Sequence, residues 1–375
     1  MRKALILGTG AAQVDAIHYL REAGWWVIGC SYLREGPGLS LVHEFRQINI
    51  TDVPALEELA RHEGVELVYS VGSDLAMPAV VRVATALGLR RFISPALADL
   101  TQNKVSLRDH LRSHHISPVS YRQLRRRADA TGWDHFPAIV KPADSQGQRG
   151  VCRADSMDEL LACLEPALTA SRSATAIVEE LLDGPEVSAN VFVVGGEIVV
   201  NELSDRLVVA DFPGGIPRGH VLPAQSASDT VLAEARTLAE RCVRALGIEN
   251  GPVYLQMKLT RCGPRIIEIT PRLDGCHIWR LILEARGIDL LAASFQLLAG
   301  EPLRALDGPR RADDVSLHFF LQAPGEPFSR APHQPPPAAL HSEFYLQEGH
   351  IVAAVNGHLE KVGYCLLREP ACASR

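Results

Sequence analysis

The first hundred residues alternate between short apolar runs and segments with apolar residues at helical spacing. Lys3–Leu7 suits a buried parallel strand, Gly8-Thr9-Gly10 a turn, and Asp15–Glu22 a helix. Trp25–Cys30 and Leu67–Val71 predict two further strands, and Leu56–His62 and Met77–Leu87 two further helices. This order predicts a parallel sheet with helices on both faces, a Rossmann-like α/β unit over residues 1–100. Farther on the pattern changes to strand hairpins of α+β type. Phe136–Pro142, Ile177–Glu180, Val253–Leu259 and Arg265–Arg272 all read as strands. Residues 301–340 are rich in proline and read largely as a surface loop. Strands are expected at Val315–Leu321, Ile351–Val355 and Gly363–Leu367, with a hairpin turn at Asn356-Gly357.

Composition narrows the class. Apolar residues make up 47% of the 375 and charged residues 22%, which excludes a disordered chain. Lys and Arg total 38 against 44 Asp and Glu, a formal charge of −6, which argues against a nucleic-acid partner. The one basic run, Arg125–Arg127, reads as a solvated loop. No apolar stretch is long enough for a membrane helix, and the N-terminal run is too short for a secretion signal. The eight cysteines contain no C-x-x-C pair. They read as apolar fillers of a reducing compartment, which points to the cytoplasm.

The turn Gly8-Thr9-Gly10 invites a dinucleotide reading, but Gln13 stands where the fingerprint needs a small residue. The second strand also ends in Gly29-Cys30-Ser31, without the acidic residue that would hold a ribose. A plain strand–helix turn is the better reading, and an NAD-dependent oxidoreductase the weaker one. Asp74, after the third strand, fits either a cleft wall or a helix cap.

Three segments carry chemistry. Phe136–Pro142 delivers Lys141 at the end of a strand, followed by the loop Ala143-Asp144-Ser145-Gln146-Gly147-Gln148-Arg149-Gly150. A lysine and the amides of a small-residue loop together neutralise a polyphosphate. Next, Glu179 and Glu180 end a strand, and Glu186 opens another after a turn at Asp183-Gly184-Pro185. The backbone of Glu180–Leu182 can read an adenine edge, and Glu186 can accept both hydroxyls of a ribose; exposed hairpin charges are the alternative. In the third, Gln256 faces Glu268 and Thr270 across a hairpin. Three oxygen donors there can hold Mg²⁺, with the planar fork of Arg272 beside them. A cross-strand polar pair facing solvent is the plainer alternative.

In order and spacing, these motifs resemble the ATP-grasp superfamily, and the likeness runs from the first strand to about residue 300. The resemblance implies a Rossmann-like domain over 1–100 and an ATP-grasp domain over 101–300. Within the latter, a small lobe spans about 115–183 and a central lobe about 184–300. A β-rich C-terminal subdomain follows over 301–375. It implies ATP and Mg²⁺ as cofactors. Lys104 and Lys141 would contact phosphate, with Gln146, Gly147 and Gly150 in a mobile lid. Glu179, Glu180 and Leu182 would form the adenine hinge, and Glu186 the ribose carboxylate. Gln256, Glu268 and Thr270 would take metal positions, Thr270 standing where Asn is usual, and Arg272 would steady the transferring phosphoryl group. The implied activity is an ADP-forming carboxylate–amine ligase acting through an acylphosphate on small-molecule substrates. The pattern sits nearest the carbamoyl phosphate synthetase-like and L-amino-acid-ligase-like groups, in which a homodimer is common. A nucleotide-binding regulatory homologue without turnover is the alternative that Thr270 suggests.

Candidate substrate residues follow. His220, in a Gly- and Pro-rich stretch with Phe212-Pro213-Gly214-Gly215, would bind substrate or pass a proton, or be a loop histidine with no role. Arg280 would clamp a carboxylate or sit on a helix surface, Asp274 would meet an ammonium group, and Cys276 is a weak candidate nucleophile. His110, His114 and His115 read as surface residues.

Overall fold

The computed structural model describes residues 1–209, 215–354 and 358–369. The first unit holds β1 (Lys3–Leu7), α1 (Ala11–Glu22), β2 (Trp26–Ser31), β3 (Glu44–Gln47), α2 (Val53–Glu63), β4 (Leu67–Tyr69) and α3 (Met77–Ala86). The four strands form a parallel sheet in the order β3-β2-β1-β4. The expected alternation is present, with β3 added: its Glu-Phe-Arg-Gln sequence is only half-buried and carries no apolar run to announce it. Gln13 is buried; its amide donates to the Val71 carbonyl at 2.5 Å and accepts from the Val71 N–H at 2.9 Å. The residue that breaks the dinucleotide fingerprint thus fastens α1 to the end of β4.

Two helices, α4 (Pro95–Gln102) and α5 (Lys104–Ser113), lead into a second unit. It contains β5 (Tyr121–Leu124), β6 (Ala138–Pro142), β7 (Cys152–Ala154), α6 (Met157–Ala170) and β8 (Ala176–Glu180). Its antiparallel sheet runs β5-β8-β6-β7 and has its own apolar core, centred on Leu124, Val140, Leu160, Leu164 and Val178. Cys152 and Cys163 form a disulfide between β7 and α6. These two cysteines are therefore not the unpaired fillers that their scatter suggested; they lie eleven residues apart and pair through a strand–helix contact, invisible as a motif.

The largest sheet has eight strands in the order β13-β12-β9-β10-β11-β14-β16-β15. They are β9 (Glu186–Val194), β10 (Glu197–Val209), β11 (Ile216–Leu222), β12 (Gly251–Thr260), β13 (Gly263–Thr270), β14 (Val315–Gln322), β15 (His341–Phe344) and β16 (Glu360–Arg368). Helices α7 (Asp229–Ala245), α8 (Ile278–Arg286) and α9 (Leu290–Ala299) pack on it. The C-terminal strands join this sheet through the β11–β14 ladder. One continuous apolar core links it to the first unit, while Phe328, Val352 and Val362 form a small core of their own.

Two local expectations change. The stretch around Arg218–Leu222 is a strand, β11, inside the sheet; Pro217, which cannot donate to a ladder, sits where the register with β10 shifts. Ile351 makes only an isolated bridge to Pro327. Val355, the Asn356-Gly357 turn and Phe212-Pro213-Gly214 lie outside the described residues. Among the described residues, no helix is long and apolar enough to cross a membrane.

Candidate nucleotide and substrate site

A cavity of about 590 Å³ opens between the second unit and the large sheet. That is ample room for a nucleotide and a small substrate. Its walls include Lys104, Lys141, Gln146, Gly147, Glu179, Glu180, Leu182, Glu186, Gln256 and Glu268. Residues spread over 165 positions of sequence thus meet because three hairpins and one helix end point at the same space.

Lys104 opens α5. Asn103 caps that helix, its side chain accepting from the N–H groups of Val105 and Ser106 at 3.0 and 3.1 Å. The Lys104 ammonium donates to the Ser145 carbonyl at 2.6 Å, at the start of the glycine loop. Burial pulls its pKa down. Gly147 faces the cavity, whereas Gly150 does not line it. Gly150 has φ +69°, and a Cβ there would lie 2.9 Å from the Ala170 methyl. This glycine answers to packing against α6 and to the left-handed backbone.

Glu179 differs from expectation. It is buried, and Arg108 holds it from α5 at 2.8 and 3.2 Å while Lys141 donates to it at 2.6 Å. Burial works to raise the carboxyl, but the Arg108 and Lys141 charges outweigh it and hold it at about 2. Its oxygens are taken up by Arg108 and Lys141, so the side chain anchors the lysine. Glu180 accepts from the Ser120 N–H at 2.8 Å, and the Leu181 N–H donates to the Pro137 carbonyl at 2.9 Å. This segment is thereby pinned in an extended path along the cavity wall through Leu182.

Glu186 opens β9 and receives the Arg206 guanidinium, Lys258 at 3.2 Å and the Gln256 amide nitrogen at 2.8 Å. The carboxylate read as free for ribose hydroxyls is already held by three donors, contributed by strands on either side of β9. The same contact orients Gln256: its nitrogen is spent on Glu186, which leaves its oxygen as the remaining polar atom.

Gln256 pairs with Glu268 across the β12–β13 ladder, and Tyr254 with Thr270. Glu268 and Thr270 also line a small adjoining chamber of about 30 Å³ with Asp74, Lys104 and Arg108. The Thr270 hydroxyl is buried and has no hydrogen-bond partner. Among the described residues, the Glu268 carboxylate makes no hydrogen bond or ion pair, and no cluster of three or more His, Cys, Asp or Glu could hold a metal. A carboxylate, an amide oxygen and an orphaned hydroxyl together fit a hard cation. An unpaired buried hydroxyl is costly, and a cation would satisfy it.

Arg272 is not the free fork that the sequence suggested. It lies just past β13, buried, and clamps Asp74 from the first unit in a bidentate pair at 2.7 and 2.6 Å. Burial works against its charge, and Asp74 outweighs that and raises its pKa. Asp74 is thus a cleft residue, and the ion pair joins the two units behind the metal-like set.

The substrate candidates change most. His220 is fully buried on β11, with Nδ1 3.5 Å from the Ser204 hydroxyl and Nε2 unpartnered. Burial, then the Arg206 and Lys361 cations, pushes its pKa well down, so it is neutral. It does not line the cavity, because it points into a sheet rather than out of a loop. Arg280, on α8, donates to Asp15 at 2.7 Å and likewise does not line the cavity. Asp274 accepts from the N–H groups of Cys276 and Ile278, and so shapes the turn before α8. Cys276 accepts from the Lys361 ammonium at 3.0 Å, and burial raises its thiol. The His110 ring lies 4.3 Å from that of His114, tilted by 34°, near the end of α5.

Residues that the sequence did not assign to the site complete the wall. Arg206, Lys258, His277, Tyr345 and Lys361 all line the cavity. No local spacing marks them as belonging to one site, because they meet only when the large sheet and the turn before α8 come together.

Comparison with known proteins agrees with this geometry. A profile of the ATP-grasp domain matches residues 134–279. An uncharacterised protein of Sinorhizobium fredii, y4rH, is 28% identical over 206 residues, 53% of this chain and 42% of that protein. Carnosine synthase 1 of Homo sapiens is 27% identical over 274 residues, 65% of this chain and 32% of that protein. The chain thus spans less than half the length of these curated relatives. The crystal structure of an L-amino acid ligase from Bacillus licheniformis superposes with a TM-score of 0.82 at 17% identity, covering 98% of this chain and 93% of that one. Residues 134–279 of this chain thus match the ATP-grasp domain, and the fold as a whole is that of the ligase structure.

Proposed function

We propose that the protein is an ATP- and Mg²⁺-dependent, ADP-forming carboxylate–amine ligase, joining an amino acid or small carboxylate to a small amine. The observation that carries this reading is the set of unsatisfied oxygens in and beside the small chamber next to the cavity. The Glu268 carboxylate and the orphaned Thr270 hydroxyl share a chamber with Lys104, and the Gln256 oxygen lies across the ladder. The likeness to carnosine synthase 1 and to an L-amino acid ligase supports the substrate class.

The adenine would lie against Glu180–Leu182, whose backbone is held extended by the Ser120 and Pro137 contacts. Lys141, fixed by Glu179, and Lys104 would meet the phosphates. Gln256, Glu268 and Thr270 would hold Mg²⁺, which when bound offsets the charge on the phosphoryl oxygens. The loop Gln146–Gly150 would cover the phosphates and exclude water, since an acylphosphate hydrolyses if exposed. Arg272 acts through Asp74, aligning the chamber rather than touching the phosphoryl group.

The test is ATP turnover with Mg²⁺ across a panel of amino acids and small carboxylates, reading phosphate, ADP and AMP. ADP and phosphate that depend on one acid–amine pair support the ligase. AMP with pyrophosphate overturns the acylphosphate route.

A further inference from the structure

The ligase reading leaves one chemical problem unaddressed. An amine substrate arrives at neutral pH as an ammonium, which has no lone pair with which to attack. It must lose a proton inside the site, and the cationic lysines around the phosphates are unsuited to take it.

The same cavity wall holds groups arranged for that task. Tyr345 lines the cavity, and its hydroxyl lies 2.8 Å from Nε2 of His277. Nδ1 of His277 lies 2.9 Å from Asp15 Oδ2 on α1, and the other Asp15 oxygen accepts from Arg280 at 2.7 Å. The His277 ring stacks on Tyr364 of β16 at 4.2 Å and 11°. His277 is 3% exposed and holds φ +55° as the residue before α8. A non-glycine residue persists in that conformation where its surroundings over-determine it, and such positions cluster at functional sites. The environment of this histidine is thus built from four separate elements.

The charges fit the task. Burial works to raise Asp15, but the His277 contact and Arg280 outweigh it and hold the carboxylate ionised. Burial raises the Tyr345 phenol well above its ordinary value, so Tyr345 stays protonated and does not act as a phenolate. With Asp15 accepting from Nδ1–H, Nε2 is left as the acceptor for the Tyr345 O–H. The remaining charged neighbours are Glu343 facing the two tyrosines, and Lys361 and Asp274 facing Cys276.

We propose that Tyr345, His277 and Asp15 form a proton relay that deprotonates the amine substrate of the ligase. The ammonium gives a proton to the Tyr345 oxygen as the Tyr345 proton passes to His277 Nε2. The nitrogen lone pair so released forms the C–N bond to the acyl carbon, the C–O bond to phosphate breaks, and phosphate leaves with that electron pair and takes up the second N–H proton, giving a neutral amide and hydrogen phosphate. The imidazolium is held by Asp15 and later returns its proton to solvent through Tyr345. Tyr345 is the residue that touches substrate; His277 and Asp15 are positioning and proton-holding residues.

This inference rests on the ligase reading, and two nucleophiles separate the two. Hydroxylamine is already neutral at pH 7 and needs no base, whereas an amino acid does. The protein is given ATP, Mg²⁺ and a mixture of the twenty L-amino acids, with and without hydroxylamine, and hydroxamates and dipeptides are measured. General base catalysis is worth roughly 100-fold or more. Tyr345→Phe is therefore expected to lower dipeptide formation at pH 7 by roughly 100-fold while hydroxamate formation holds within about threefold. The dipeptide rate of the variant should climb tenfold per pH unit, following the free amine. His277→Asn, which tolerates the left-handed backbone, should behave the same way. Equal loss with both nucleophiles, or an unchanged dipeptide rate, overturns the relay. Neither product from the unaltered protein overturns the ligase reading and the relay with it.

Discussion

Replacing Glu179 by Gln removes one buried negative charge and leaves two buried cations, Arg108 and Lys141, facing each other. The magnitude follows from the carboxyl group itself. In the folded protein it is held at about 2, against an ordinary 4.5. Each tenfold in proton affinity is worth about 1.4 kcal/mol, so the ionised carboxylate stabilises the fold by about 3 kcal/mol. Breaking a buried pair by removing one partner costs about 3–5 kcal/mol, which agrees. Because the folded value is depressed, this contribution is complete above pH 4.5 and is lost as the pH falls from there toward 2. Hydrogen exchange along β6 and β8 reads it locally: about 3 kcal/mol corresponds to protection lower by on the order of 100-fold. Urea unfolding at pH 7 should show Glu179→Gln less stable by a similar amount. Below pH 4.5 the gap should narrow, and close toward pH 2, because the unfolded carboxyl takes up a proton that the folded one still excludes. A loss under about 1 kcal/mol at pH 7, or a gap that stays constant down to pH 3, would refute the assignment of Glu179 as the charge that holds these cations.

Thr270→Val keeps the shape of the side chain and removes the orphaned hydroxyl. Its melting temperature should hold or rise, while the Mg²⁺ concentration needed for half-maximal ATP turnover rises about tenfold. Glu268→Ala should abolish phosphate release, as should EDTA, yet leave the urea midpoint close to that of the unaltered protein, because the carboxylate makes no hydrogen bond or ion pair and acts only at a distance on Lys104 and Arg272. Gly72→Ala should destabilise by about 2 kcal/mol and slow turnover. Gly72 has φ +64°, and a Cβ there would lie 2.5 Å from the Cα of Gly275, in the turn that precedes His277; calorimetry with a steady-state assay checks both effects.

Local order is what the chain states on its own. The βαβ alternation of residues 1–100 follows from apolar runs that bury whole strands, and it needs no partner beyond its neighbour to be read. The lysine–glycine-loop, Glu179–Glu186 and Glu268–Arg272 motifs sit within hairpins or single strands, so their spacing carries their geometry. Such segments line one cavity because each hairpin end has a defined face. What the tertiary structure decided is which of those polar groups remain free. Arg108 and Lys141 spend Glu179, three donors spend Glu186, and Asp74 spends Arg272. Their partners lie between 20 and 198 residues away, so no spacing along the chain reports the pairing. The same holds for His220, which a glycine and a proline nearby made look like a loop residue, until β10 and β14 enclosed it. It holds for Asp15, His277 and Tyr345, drawn from three distant segments. Charge neutralisation in a buried setting is a property of what surrounds a group. A sequence names the group, and only the packed chain supplies its surroundings.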